Sequence, residues 1–255
     1  MKKILYILSL FLTFTGFSQN VKISYEYAIV NGLKPVRDDY LFINIAENKA
    51  SYIQDMDSKR FLEDIDDIDN LISIDRRHNF NYLFLDPNKR EMNIYEDFAR
   101  NFYKIIDVFP EFQWQLINEN KMINNLKVQK AIGKYRGNTW EVWFAESIPY
   151  GFGPRKLNGL PGVILEAKDQ SGKIHIKAIK IEFDKECFIC NIPNDRKIVE
   201  VSYKDYLIMK DDLYNNFERD IERDVIVSYE KKSFLLEELE FEFPIDFSWE
   251  EKERK

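Results

Sequence analysis

Four of the nine glycines and two of the eight prolines crowd into the first part of one segment, GFGPRKLNGLPGVILEAKD, Gly151 to Asp169. On both sides of it the chain alternates apolar and polar side chains. That period places successive side chains on opposite faces of a strand, so the runs on either side read as strands and the glycine- and proline-rich part, Gly151 to Gly162, as the crossing between them. Within it, Leu160-Pro161-Gly162-Val163 fits a type II turn, with Pro161 second and Gly162 supplying positive φ at the third position. The turn launches a strand from Val163, and Gly151 to Pro154 shape the passage from the strand before.

The same alternation recurs along most of the chain. Val21, Ile23, Tyr25, Tyr27 and Ile29 alternate with Lys22, Ser24, Glu26 and Ala28 until Asn31-Gly32. Leu41 to Ile45 and Ala50 to Ile53 read as a hairpin across a polar turn at 47–49. A second hairpin joins Phe80–Leu85 to Glu91–Phe98, with Pro87 pre-setting its turn. Phe102–Val108 and Phe112–Ile117 read as strands on either side of Pro110. Lys127–Tyr135 and Thr139–Ala145 read as a hairpin closed at Gly137-Asn138, where Trp140, Val142 and Phe144 share one face and Trp143 takes the other. Val163–Lys168 and Lys173–Phe183 form another hairpin. There Ile174 and Ile176 differ in parity from Ile179, Ile181 and Phe183, which predicts a bulge near Ala178. One helix is expected: Ser202 and Asp205 have capping-box spacing, and Tyr206, Met209, Leu213, Phe217, Ile221 and Val225 recur at helical intervals. A short strand at Leu239–Phe247 precedes a charged tail. The fold class expected is mainly β: a curved antiparallel sheet or half-barrel of about nine to eleven strands with one helix in the C-terminal half.

Residues 1–18 carry Lys2 and Lys3, an apolar run from Ile4 to Phe14, and small polar residues ending at Ser18, the pattern of a secretory signal. The run is too short to span a bilayer as a helix. Cleavage before Gln19 leaves 237 residues with a net charge of −9, read as one domain, 19–255, and unsuited to the concentrated basic face that nucleic acid requires.

Candidate chemistry is sparse. Only His78 and His175 are present, in neither a metalloprotease nor a nucleophile-elbow pattern, and His175 reads as a solvent-facing strand histidine. No glycine-rich loop opens a helix as a phosphate cradle does. Cys187 and Cys190 form a C-x-x-C that reads as a small structural disulfide or two unpaired thiols, with a redox pair and a metal half-site as the other readings. The acidic run at 63–69 lacks the glycine and distal glutamate of a calcium loop. Trp114, Tyr135, Trp140, Trp143 and Phe144 either pack a core or line a hollow for an apolar or carbohydrate ligand. No catalytic, cofactor or metal residue is assigned.

Thr139 to Leu165, TWEVWFAESIPYGFGPRKLNGLPGVIL, resembles the GLPGLI family of secreted Bacteroidetes proteins, also called Porph_ging. The resemblance is carried by Trp140 and Trp143 of the W-x-x-W-[FY] strand, Pro149 of the I-P element, Gly153-Pro154, and Gly159, Leu160, Pro161 and Gly162 of the eponymous motif. Val163 stands where the name has leucine. Gln129-Lys130-Ala131 and Phe243-Pro244-Ile245-Asp246 are similar to the family as well. The resemblance implies export from a Gram-negative cell to the periplasm or outer membrane and brings no catalytic residue with it. Strands plus a helix are also similar, at the level of fold, to the half-barrels of periplasmic lipoprotein-carrier proteins. The function expected is a non-catalytic binding or assembly module for an apolar ligand or an outer-membrane partner. The alternative is an enzyme centred on Arg155 and Lys156 with Glu141 or Glu166 near the GLPG turn.

Overall fold

The computed structural model describes residues 20–29, 35–55, 60–61, 80–98, 101–184, 197–210 and 212. The signal segment, the acidic run at 63–69, His78, Cys187 and Cys190, the helical positions from Leu213 onward and the strand expected at Leu239–Phe247 lie outside them.

Among the described residues, thirteen strands form one sheet. They are β1 (Asn20–Ile29), β2 (Pro35–Asn44), β3 (Lys49–Asp55), β4 (Arg60–Phe61), β5 (Phe80–Asp86), β6 (Glu91–Phe98), β7 (Asn101–Val108), β8 (Gln113–Ile123), β9 (Leu126–Tyr135), β10 (Asn138–Ala145), β11 (Val163–Asp169), β12 (Ile174–Asp184) and β13 (Ile198–Ser202). Their order is β13-β7-β6-β5-β3-β2-β1-β12-β11-β10-β9-β8, with β4 on a branch beside β2. The sheet is thus mainly antiparallel and mixed: β13 lies parallel to β7. It has more strands than the nine to eleven expected, because the two-residue β4 and the edge strand β13 carry no alternation long enough to read.

Connectivity forces the curvature. β7 stands second in the order and β8 last, yet only residues 109–112 join them. Four residues reach about 17 Å at full extension, so the two ends of the sheet must curl toward each other. Among the described residues no ladder joins β7 or β13 to β8, and the sheet remains open.

Alternation then sorts the faces. Val21, Ile23, Tyr25, Tyr27 and Ile29 of the central β1 all lie within the hollow of the curve and are buried. Leu41, Ile43, Tyr52, Leu85, Val142, Phe144, Ile164 and Ile176 join them in one core. The bulge falls where parity predicts: Ser24 faces Lys180 and Tyr25 faces Ala178, leaving Ile179 as the extra residue, 52% exposed. Ser202 caps a helix, α1 (203–210), its hydroxyl accepting the Asp205 amide at 3.1 Å and donating to the Asp205 carboxylate at 2.6 Å. Tyr203 and Tyr206 of α1 form a second cluster with Tyr103 and Ile105 of β7, against which Tyr135 of β9 also packs. The helix therefore bridges elements from opposite ends of the sheet.

Two turns differ from the sequence reading. The β9–β10 hairpin closes at Arg136-Gly137, φ 46 and 84°, one residue earlier than Gly137-Asn138. Both central residues are at positive φ, as a type I′ turn requires. Strand β8 runs on to Ile123, well past Ile117, and turns at Asn124-Asn125, φ 48 and 62°. Asparagine tolerates that region, which is what allows a hairpin without glycine.

Candidate functional site

The glycine-rich crossing, residues 146–162, folds into the hollow of the sheet. Ile148, Phe152, Leu157 and Leu160 are each at most 4% exposed and belong to the main core. Its backbone is paired internally and to the sheet: Gly159 N–H donates to Gly151 O at 2.8 Å, Val163 N–H to Ile148 O at 3.0 Å, and Ile164 N–H to Phe152 O at 2.9 Å. The Tyr25 hydroxyl reaches across the hollow to the Ile164 carbonyl at 2.6 Å. A loop so buried has to satisfy its polar groups, and this one does so partly with partners outside the loop. Trp114 of β8 donates to Asn158 O at 2.7 Å, and the Asn158 amide donates to Pro110 O at 3.2 Å.

The positive φ expected at Gly162 is found at Gly159 instead, φ 89°. Gly162 is required for another reason. A Cβ there would sit 2.2 Å from the carbonyl oxygen of Ala145 and 2.5 Å from its carbon, inside the backbone of β10. The type II assignment is thus corrected to a close approach of two backbones.

At the tip of the loop, Arg155 holds φ 56°, a region that β-carbon-bearing residues rarely adopt. Two successive cations consequently point to different partners. Arg155 donates to the Tyr27 hydroxyl at 2.9 Å, and its guanidinium lies 5.4 Å from that ring. The opposite side of this group is the buried set Arg37, Asp39 and Tyr52: Arg37 Nε donates to Asp39 at 2.7 Å, and the Tyr52 hydroxyl donates to Asp39 at 2.6 Å. Burial, then the Asp39 charge, pushes the Tyr52 hydroxyl well above the usual phenol range.

Lys156 turns the other way, to Asp107 of β7 at 3.1 Å. Arg136, from the β9–β10 turn, grips the same carboxylate with both terminal nitrogens, at 2.8 and 2.5 Å. The three side chains are 7, 3 and 2% exposed. Tyr203 of α1 lies beneath both cations, 4.0 Å from Lys156 Nζ and 4.9 Å from the Arg136 guanidinium carbon. Burial lowers the Lys156 ammonium to about 8, with Asp107 opposing the fall. Burial alone would raise the Asp107 carboxyl, and the two cations outweigh it and hold it low. Asp107 is thereby the fastening between the β7 end of the sheet, the β9–β10 end and the loop in between.

Glu141 and Glu166 do not meet Arg155. Both lie on the outer face, Glu141 on Lys130 at 3.0 Å and Glu166 between Lys121 and His175, with the His175 ring nitrogen at 3.0 Å. His175 lies on the outer face, 31% exposed, and is paired with Glu166. The set Arg155, Lys156, Glu141 and Glu166 is therefore not brought together. Trp143, on the same outer face, lies under Lys121 Nζ at 4.2 Å, whereas Trp140 and Phe144 fill the core. Gly153, Pro154 and Leu160 are buried within the loop, and Pro149 and Pro161 are exposed at its margins. Among the described residues, no group of three or more His, Cys, Asp and Glu is placed to hold a metal, and no helix is long and apolar enough to cross a membrane.

Burial pushes the Glu166 carboxyl up, but hydrogen bonds from His175 and Lys121 more than offset this and hold it at about 2. Because the folded state binds this proton less tightly than the unfolded chain, its stabilisation is complete above the ordinary carboxyl range and is lost as pH falls toward 2. Glu166→Gln is expected to lower unfolding free energy by up to about 3 kcal/mol at pH 7 and by almost nothing at pH 2, read from urea denaturation at both.

One feature of the outer face escaped the sequence reading. Phe42, Ser51, Phe84 and Asn93 pair successively across β2, β3, β5 and β6, and they line a half-open groove of about 420 Å³ at the hairpin tips. The signal that marks them is aromatic residues at positions that alternation assigns to the outer face: Tyr40 and Phe42 in β2, Tyr82 and Phe84 in β5.

No protein-family model matches this chain, and no curated protein sequence does. Among solved structures it is similar to PNGF-II in two crystal forms, with TM-scores of 0.51 and 0.48 at 16 and 17% identity, each alignment covering 75% of this chain. The chain spans about a third of the length of the PNGF-II chains it matches. The first of these likenesses is one of fold alone. A LolA superfamily protein from Nitrosomonas europaea aligns over 69% of this chain and 88% of its own at 9% identity, with a TM-score of 0.26, too low to bear on the fold.

Proposed function

We propose that this chain is an exported, non-catalytic binding or assembly module of the Gram-negative cell envelope, related to the GLPGLI proteins it resembles, and that it engages its partner through the outside of its sheet. The observation that carries this reading is the filled hollow. Phe152, Leu157 and Leu160 occupy the space an apolar ligand would take, and the loop that bears them is tied down by backbone pairing. The described groove opens on the other face. An apolar cargo held inside would have to displace several buried side chains, each contributing roughly 1.5–3 kcal/mol of burial. The export pattern of residues 1–18 and the separation of Arg155 from Glu141 and Glu166 support the remaining parts of the reading.

A photoreactive phenylalanine analogue at position 84, introduced in cells, is expected to crosslink to an envelope component. Organic extraction of the purified protein is expected to yield only traces of lipid. One equivalent of bound lipid per chain, with no crosslink from position 84, would overturn the proposal in favour of an interior cargo.

A further inference from the structure

The chemistry of the outer groove is specific enough to name a ligand class. In its central row the small Ser51 stands between the rings of Phe42 and Phe84, and this leaves the hollow between them. The Phe84 ring is fixed, edge-on to Tyr95 at 5.7 Å and parallel to Tyr82 at 6.4 Å. Ser51 and Asn93 are half-buried, and among the described residues their side chains form no hydrogen bond to the protein. Both groups donate as well as accept, so an occupant that offers both kinds of partner satisfies them most fully.

That preference disfavours most occupants. An acyl chain would bury the hydroxyl and the carboxamide unsatisfied, at about 1–3 kcal/mol each. An anion would meet Asp86 and Glu91 at the rim. A cation finds its places already taken: Lys22 Nζ lies 5.6 Å from the Phe42 ring, and Lys49 bridges Glu47 at 2.6 Å and Asp86 at 3.6 Å. A neutral molecule with an apolar C–H face and a rim of hydroxyls, each donor and acceptor at once, satisfies all of these conditions. The volume also lies within the roughly 300–1,000 Å³ of small-molecule sites.

We infer that the groove is a carbohydrate subsite that takes pyranose rings of a neutral glycan, stacked on Phe84 and hydrogen-bonded to Asn93 and Ser51. The inference rests on the outer face being the working surface and names what that surface recognises.

Isothermal titration of the full exported chain with cellotriose, maltotriose and triacetylchitotriose tests it. At least one trisaccharide is expected to bind, and Phe84→Ala and Asn93→Ala are each expected to weaken that binding tenfold or more. Asn93→Ala leaves the packed rings in place, so it keeps its thermal midpoint and separates lost binding from lost folding. No heat with any of the three sugars, or binding unchanged in Asn93→Ala, overturns the inference. If crosslinks from position 84 persist in either case, the outer-face reading stands and only the glycan is wrong; if they vanish as well, both fall.

Discussion

Asp107→Ala is expected to lower the unfolding free energy by about 3–5 kcal/mol at pH 7, measured by urea denaturation. The substitution removes few atoms, but it leaves Arg136 and Lys156 buried side by side without the carboxylate that holds them. Breaking a buried ion pair from one side is far more harmful than never having had it, because the remaining charge keeps its desolvation penalty. Lys156→Met makes the opposite case. Burial already lowers the Lys156 ammonium to about 8, which means that the folded state holds this charge at a disadvantage. Arg136 alone still grips Asp107 with two hydrogen bonds. Lys156→Met is therefore expected to be neutral or stabilising by about 1 kcal/mol. A pH series identifies the group. Between pH 8 and 9.5 the unfolded chain keeps a proton that folded Lys156 has released, so wild-type stability is expected to rise, and the rise should be absent in Lys156→Met.

Gly162→Ala is the second substitution with a large expected effect, at least about 3 kcal/mol. The added methyl would stand 2.2 Å from Ala145 O, and backbone cannot rotate out of the way as a side chain can. Relief requires β10 and β11 to part where their pairing begins, at Ala145 and Val163. Gly159→Ala provides the contrast. There φ is 89° and the nearest atom to a new Cβ is 3.7 Å away, so only the backbone conformation is strained, at about 1–3 kcal/mol. Thermal melts of the two variants are expected to place Gly162→Ala lower. The reverse order would restore the positive-φ explanation for Gly162.

The local half of this fold is readable from the chain. Alternation locates β1, the β2–β3 and β5–β6 hairpins and the outer position of Trp143, and its break locates the bulge at Ile179. The Ser202 cap is visible for the same reason: all its atoms lie within four residues. What is not readable depends on partners distant in sequence. Phe102–Val108 and the strand after Pro110 look like neighbours, yet they lie toward opposite ends of the sheet, and no local pattern encodes that separation. Asp107 appears as one more polar strand residue until Arg136, 29 positions later, and Lys156, 49 positions later, are brought to it. The turn pattern around Pro161 suggests a conformational reason for Gly162, while the actual reason is the carbonyl of a residue 17 positions earlier, Ala145 of β10. The groove row has the same character, since its four side chains come from four strands.

Hydrogen exchange of the loop amides tests the filled hollow most directly. The N–H groups of Gly159 and Ile164 are bonded to Gly151 O and Phe152 O beneath the curve of the sheet. If the loop is a permanent part of the core, both amides exchange only through global unfolding, with the same opening free energy and the same urea dependence as the amides of β1. Exchange several kcal/mol easier than that of β1, and insensitive to urea, would mean that the loop swings out while the sheet stays folded. The hollow would then be open to a ligand, and the assignment of the outer face as the working surface would be contradicted.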